Sequence, residues 1–326
     1  MRAVILDLPG MPLREATVRD PEPGLAEVLI GIGACGVCRT DLHLADGELR
    51  AGHLPLILGH QIIGRVQESR SDQFAPGDRI GVPWVAWTCG ACRFCHSGAE
   101  NLCQRARFTG SDVDGGYAEL AVAHGEHCFA LPEGADDSEL APLLCAGMIG
   151  YRALRLAGDG DPLGLYGFGA AAHLICQVAV REGRRVFAFT RPGDAESQAF
   201  ARSLGAAWAG GSDEAPPELL GAALIFAAVG ALVPLALRAS DRGATVVCAG
   251  IHMSDVPAFP YELLWQERVL RSVANLTRED GRALLAAVAE MPLRVTTTLY
   301  PLSRANAALE DLRAGRLQGA AVLTME

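Results

Sequence analysis

The chain has no surplus of basic charge, no block of Lys or Arg and no low-complexity tract. Lys and Arg number 28 against 38 Asp and Glu, giving a net charge of -10 and a pI near 5.3. Nucleic-acid backbones are bound through neutralising cations, so this balance argues against such a partner. Long apolar runs are also missing, since none reaches bilayer length without a charge, a proline or turn residues. The first residues, "MRAVILDLPGMPLREATVRD", alternate like a strand. They lack the basic start, apolar stretch and small-residue cleavage site of a secretion signal. No internal repeat of about 20–50 residues is present. No membrane span is expected, and the expected location is the cytosol.

What is present is enough apolar material for a full core. At 326 residues, 50% hydrophobic and 20% charged, the chain is long enough for two domains. It carries ten cysteines, which a reducing cytosol keeps packed or metal-bound. Four fall in "TCGACRFCHSGAENLC", residues 88–103: Cys89, Cys92, Cys95 and Cys103. The spacing C-x2-C-x2-C-x7-C lets a short loop wrap one zinc ion tetrahedrally, in a closed site that holds structure and does no chemistry. Unconnected thiols or a redox array are the alternatives. Cys35, Cys128, Cys176 and Cys248 lie in apolar segments and read as small core residues. His53, His96, His124, His127 and His252 have no ligand partners at convincing spacing.

The first 145 residues are rich in Gly, Pro and short alternating segments such as "EVLIGIGA" and "GRVQES", the pattern of an antiparallel β domain. From residue 146 the pattern changes to short apolar runs: "LGLYGF", "VFAFT", "AAWAG", "LIFAAV", "ATVVCAG" and "VLRSVAN". Helix-period segments, "AAHLICQVAVRE" and "AESQAFARSLGA", lie between them. Such alternation implies a doubly wound α/β domain, a parallel sheet covered on both faces. Its first strand enters "GFGAAAH", where Gly167, Phe168, Gly169, Ala170 and Ala172 form a strand-turn-helix junction suited to a dinucleotide pyrophosphate. The second strand ends "VFAFTRP". Thr190 and Arg191 stand where an acidic residue receives the ribose of NAD, and this favours the extra phosphate of NADP. If Arg191 faces solvent, NAD remains the alternative.

Three further segments, "ACGVCRTDLH", "ILGHQIIG" and "LLCAGMIGYRAL", hold Cys38, His60 and Cys145. Two thiolates and an imidazole would leave zinc one open position, though spacing alone does not bring them together. With these segments, the four-cysteine stretch and the glycine turn in this order, the chain resembles, end to end, the zinc-dependent alcohol dehydrogenases of the medium-chain dehydrogenase/reductase family. The likeness is narrower to the bacterial alcohol and cinnamyl-alcohol-type members.

The resemblance implies a GroES-like catalytic domain, residues 1–145 and 276–326, with a structural zinc lobe at 88–103. A Rossmann-type domain, 146–275, is inserted in it, and the active site lies in the cleft between the two. Cys38, His60 and Cys145 match the catalytic zinc ligands, and Cys89, Cys92, Cys95 and Cys103 the structural ones, so two zinc ions per chain are implied. Thr40 and His43 match the path that carries the alcohol proton to solvent, and Trp84 a wall of the substrate pocket. His173 stands where many members have a histidine after the glycine turn, and helix-start packing accounts for it equally well. The activity implied is hydride transfer between a nicotinamide cofactor and a primary alcohol or its aldehyde, aliphatic or aromatic, by a homo-oligomer, dimer or tetramer.

Three positions depart from the family pattern. Gln61 replaces a glutamate after the zinc-binding histidine, which leaves the site less negative and the metal a stronger Lewis acid. Ala320 follows Gly319 where many relatives have an arginine on the cofactor pyrophosphate. Ala172 replaces the last glycine of the turn. The apolar stretches "VPWVAW" and "CAGMIG" favour simple alcohols over the alternative of a polyol dehydrogenase. A non-catalytic cofactor-binding scaffold is the alternative of another class, and an intact set of catalytic ligands argues against it.

Overall fold

The strand Glu27–Val37 buries Val28, Ile30, Ile32 and Ala34 at alternate positions, the period of a pleated strand with one face on a core. It is the spine of the first of two units in the computed structural model, which describes residues 1–325. That unit comprises Met1–Met148 and the chain from Asn275 onward, and the second comprises Ile149–Ala274.

In the first unit Glu27–Val37 pairs antiparallel with Ile62–Ser69, Leu120–His124 and Ala320–Thr324. The returning carboxyl-terminal segment therefore supplies an interior strand, with Thr297–Pro301 parallel beyond it. A smaller sheet, Arg14–Thr17, Arg2–Leu6 and Leu56–Ile57, packs into the same core. Val85–Trp87 pairs with Phe108 and Arg107 across the base of the four-cysteine segment, so the lobe is a loop closed by a short ladder.

The second unit is a six-stranded sheet in the order Trp208–Gly211, Val186–Thr190, Leu163–Tyr166, Leu220–Ile225, Ser240–Cys248, Val269–Ser272. Every pairing is parallel. Five of the six apolar runs read from the sequence fall mainly on these strands, while "LIFAAV" overlaps only the end of Leu220–Ile225; the strand order is the 3-2-1-4-5-6 of a dinucleotide-binding sheet. Tyr166 and Phe189 stack at 4.1 Å in its core. Two crossovers have no α-helix: the link between the third and fourth strands contains Pro216 and Pro217, and that between the fifth and sixth contains Pro257 and Pro260. Proline removes a helix hydrogen bond and clashes with the preceding turn.

Candidate active site

Cys38 lies just past the end of Glu27–Val37 and caps the helix Arg39–Asp46. Its sulfur accepts from Thr40 N at 3.3 Å, while its own N–H donates to Asp41 Oδ2 at 2.8 Å, a capping box with cysteine in the usual serine place. His60 is carried on the loop before Ile62–Ser69, and Cys145 follows the turn Ala141–Leu144. These three residues, remote in sequence, converge: their donor atoms lie within 4.8 Å of one another, with Cys38 Sγ 3.1 Å from His60 Nε2. His60 is fully buried and Cys145 nearly so.

Asp41, which the sequence reading passed over, orients the set. It is fully buried; Oδ1 accepts from His60 Nδ1 at 3.1 Å and from Gly59 N at 3.2 Å. A proton is thereby held on Nδ1 and Nε2 is turned toward the sulfurs, so that it is the nitrogen a metal would take once its own proton is displaced. The only signal was its place three residues after Cys38, which reads as a helix start and nothing more.

Electrostatics agree with a site built for a cation. A hydrogen bond from Cys145 holds the Cys38 thiol well below its ordinary pKa against the opposing effect of burial, with His60 assisting. Cys145 is pushed well above its ordinary value by Cys38 and by burial. Burial opposes charge on His60, but the Cys38 thiolate and Asp41 outweigh it and raise its pKa well above the usual value. One nitrogen and two sulfurs on buried, convergent side chains are a donor set that zinc takes with a position left over. The residues fit the metal.

Trp84 meets His60 edge-on at 4.8 Å and stacks on Phe108 at 5.2 Å, so an aromatic pair walls this ligand. Gln61 is buried and lies over Gly36, where a Cβ would come within 2.6 Å of its Oε1. Thr40 and His43 are both buried and stand one turn apart on the same helix, so they share a face. The His43 Nδ1–H donates to Glu48.

Cys89, Cys92, Cys95 and Cys103 also converge within 4.8 Å. A hydrogen bond from Arg105 is the leading cause that lowers Cys89 to about 5, while burial and neighbouring thiols push Cys95 to about 11. Four thiols with one already ionised fit a closed tetrahedral zinc site. The lobe is tied to the body of its unit by Glu100, which accepts from Arg278 N at 2.9 Å, and by Thr88, 3.3 Å from His127. Of the remaining cysteines, Cys35, Cys128 and Cys176 are buried and Cys248 half-buried.

In the second unit the glycine turn joins Leu163–Tyr166 to the helix Ala170–Arg181. Gly167 has φ 87°, and a Cβ there would lie 2.8 Å from that of Ala227, so only glycine fits. Gly169 is the N-cap and has no atom within 4 Å of where a Cβ would be, leaving the helix amino terminus open to a phosphate. Phe168 packs edge-on to Phe200, and Ala172 is fully buried under the turn. His173 is fully buried, its Nδ1–H donates to Gly169 O at 3.3 Å, and burial lowers its pKa to about 4. At the tip of the second strand the Thr190 hydroxyl is turned inward. It lies 3.0 Å from Arg191 O and 3.3 Å from Gly210 O, and accepts from Gln198. Arg191 is therefore the side chain this tip presents outward, and it is exposed. The chain contains no lysine, so any phosphate it holds meets arginine or backbone.

Residues 24–133 match the alcohol dehydrogenase GroES-like domain. A probable alcohol dehydrogenase, AdhA, of Mycobacterium tuberculosis is 47% identical over 96% of this chain and 92% of its own length. The cobalt- and zinc-bound thermostable alcohol dehydrogenase of Pyrobaculum aerophilum superposes with a TM-score of 0.91 at 25% identity, covering 100% of this chain and 99% of the other. A zinc-binding dehydrogenase of Sinorhizobium meliloti bound to NADP gives 0.88 at 26% identity, covering 99% of both chains. The chain belongs to the zinc-dependent alcohol dehydrogenases of the medium-chain dehydrogenase/reductase family, NAD(P)-dependent alcohol oxidoreductases.

Proposed function

We propose that this enzyme interconverts primary alcohols, aliphatic or aromatic, with their aldehydes, using NADP and two zinc ions per chain. The observation that carries the reading is the convergence of Cys38, His60 and Cys145 beside Trp84. When bound, zinc supplies a Lewis acid for the substrate oxygen and the nicotinamide a hydride donor or acceptor for the neighbouring carbon.

The chain's own residues do the rest. Cys38, His60 and Cys145 hold the catalytic metal and Asp41 fixes the tautomer of His60. Trp84 and Phe108 keep that side of the ligand set apolar, which suits a simple alcohol better than a polyol. Thr40 takes the alcohol proton and His43, one helical turn on, carries it outward, because a buried hydroxyl cannot release a proton directly to water. Gly167, Gly169 and the amino terminus of Ala170–Arg181 cradle the pyrophosphate. Arg191 supports the choice of NADP, since its planar fork suits a terminal phosphate. Ala320, buried in its strand, offers no cation to this task.

A homo-oligomer, dimer or tetramer, in the cytosol is part of the proposal. Ten unbridged cysteines support the location, and the exposed outer strand Val269–Ser272, next to exposed Tyr261 and Trp265, suits a second copy. The test is oxidation of NADPH and NADH in parallel by zinc-replete protein given benzaldehyde or a short aliphatic aldehyde. Faster turnover with NADPH, abolished as a preference by Arg191→Ala, supports the reading. A strong preference for NADH refutes the cofactor choice, and turnover with neither aldehyde refutes the substrate class.

A further inference from the structure

We propose that Glu48 is the outer station of the proton path, a positioning residue that fixes the His43 tautomer and exchanges its proton with water. The proposal rests on the reading of Thr40 and His43 as the path from the buried oxygen.

The local fold makes the pair. The helix Arg39–Asp46 ends at Gly47, which takes the left-handed conformation at φ 79° and donates to the carbonyls of His43 and Leu44. A Cβ at Gly47 would also lie 2.9 Å from Pro9, so the turn needs glycine twice over. Past it, Glu48 N and Leu49 N both donate to His43 O, at 2.9 and 3.1 Å. The chain thus doubles back on His43, and the Glu48 carboxylate accepts from Nδ1 of the residue whose carbonyl its own backbone caps.

Burial gives the pair a direction. The His43 side chain is 11% exposed and that of Glu48 49%, so the hydrogen-bonded pair joins a closed interior to solvent. The neighbouring acids are already committed. Asp41 accepts from Cys38 N, Gly59 N and His60 Nδ1. Asp46 is paired at 2.6 Å with Arg313, from the helix Ala305–Arg313 packed alongside. Glu48 is the carboxylate that meets the imidazole.

With Nδ1–H donated to Glu48, Nε2 is the nitrogen that accepts the incoming proton. The imidazolium so formed is held by the carboxylate. It then releases its Nδ1 proton to water by way of Glu48. One proton leaves for each one taken up, and no bonds other than N–H and O–H are made or broken. In aldehyde reduction the same steps run backward.

The test uses zinc- and cofactor-replete enzyme with Glu48→Gln, Glu48→Ala and Glu48→Asp, and Thr40→Val and His43→Asn as controls. Glu48→Ala is expected to lower kcat about tenfold with KM unchanged and to enlarge the solvent deuterium isotope effect. Glu48→Asp or added acetate should restore part of the loss. In 15N NMR of the cofactor-free enzyme, the His43 ring should shift away from the Nδ1–H tautomer in Glu48→Ala. If His43→Asn is slow while Glu48→Ala leaves rate and isotope effect unchanged, the proposal fails and the path stands. A slower Glu48→Ala with unaltered isotope effect and no acetate rescue makes Glu48 structural only, which also overturns it. If Thr40→Val and His43→Asn are silent as well, the path itself falls.

Discussion

Asp41→Asn keeps the size of a fully buried side chain and removes its charge, which makes it a sharp probe of the ligand set. Asp41 accepts from three N–H groups: Cys38 N at 2.8 Å, His60 Nδ1 at 3.1 Å and Gly59 N at 3.2 Å. An asparagine offers one oxygen and one NH2 group, so on at least one side a donor must face a donor. If the oxygen serves His60 and Gly59, the cap on Cys38 is lost; if it serves Cys38, His60 loses its orientation. A buried donor left without an acceptor costs about 1–3 kcal/mol. Loss of a group that orients a metal ligand typically weakens the metal by about 10–100-fold, or about 1.4–2.7 kcal/mol. The two routes agree, so catalytic-site zinc affinity is expected to fall by one to two orders of magnitude, on the order set by the same orienting-group effect. The assay is equilibrium competition with a chromophoric chelator. The four-cysteine lobe, which shares no hydrogen bond with Asp41, serves as the internal reference and keeps its zinc. A catalytic-site affinity unchanged from wild type would show that Asp41 is only a helix cap.

Zinc affinity at the catalytic site should rise with pH, because His60 and Cys145, both raised well above their ordinary values, hold protons that the metal must displace. Calorimetry in buffers of different ionisation enthalpy should show proton release on binding, and its absence would refute the assignment. Arg105→Gln removes the hydrogen bond that leads in holding Cys89 near 5, and should speed zinc loss to a chelator from the lobe about tenfold; an unchanged rate would remove Arg105 from the site. His173, held near 4 by burial, lowers stability in acid. Its folded pKa lies below the unfolded 6.5, so between these values only the unfolded chain gains the proton, and stability falls as pH falls. From pH 7 to 5 this amounts to about 2 kcal/mol, most of which His173→Asn should abolish in urea unfolding. Equal losses in both proteins would place the acid sensitivity elsewhere.

The parts of the site that were legible in the sequence are those written locally. The four cysteines of the lobe fall within one loop, so their spacing alone pointed to the common site at which they converge. Cys38, His60 and Cys145 are joined by the path of Glu27–Val37 and its neighbours, which no spacing encodes, and only the family likeness united them. Asp41 was hidden because one residue does two jobs: Oδ2 closes a helix cap that sequence can signal, while Oδ1 reaches a histidine on a distant loop. The inward turn of Thr190 depends on Gly210 in the adjacent strand, again a contact set by sheet order. Five of the six parallel strands were readable as apolar runs and the fourth was read a few residues late, while the two crossovers without helices required weighing their prolines against the expected alternation.

The sheet beside the metal ligands is completed by a strand far along the chain from its first members. Ala320–Thr324 lies between Glu27–Val37 and Thr297–Pro301, whereas the parallel sheet of the second unit is complete at Ser272. During synthesis the cofactor-binding sheet can therefore close while Glu27–Val37, the strand leading to Cys38, still has an unpaired edge. The apolar face around that strand must be kept from other nascent chains until Ala320–Thr324 emerges. A ribosome stalled in the final helix would hold a folded dinucleotide-binding unit attached to an open catalytic one.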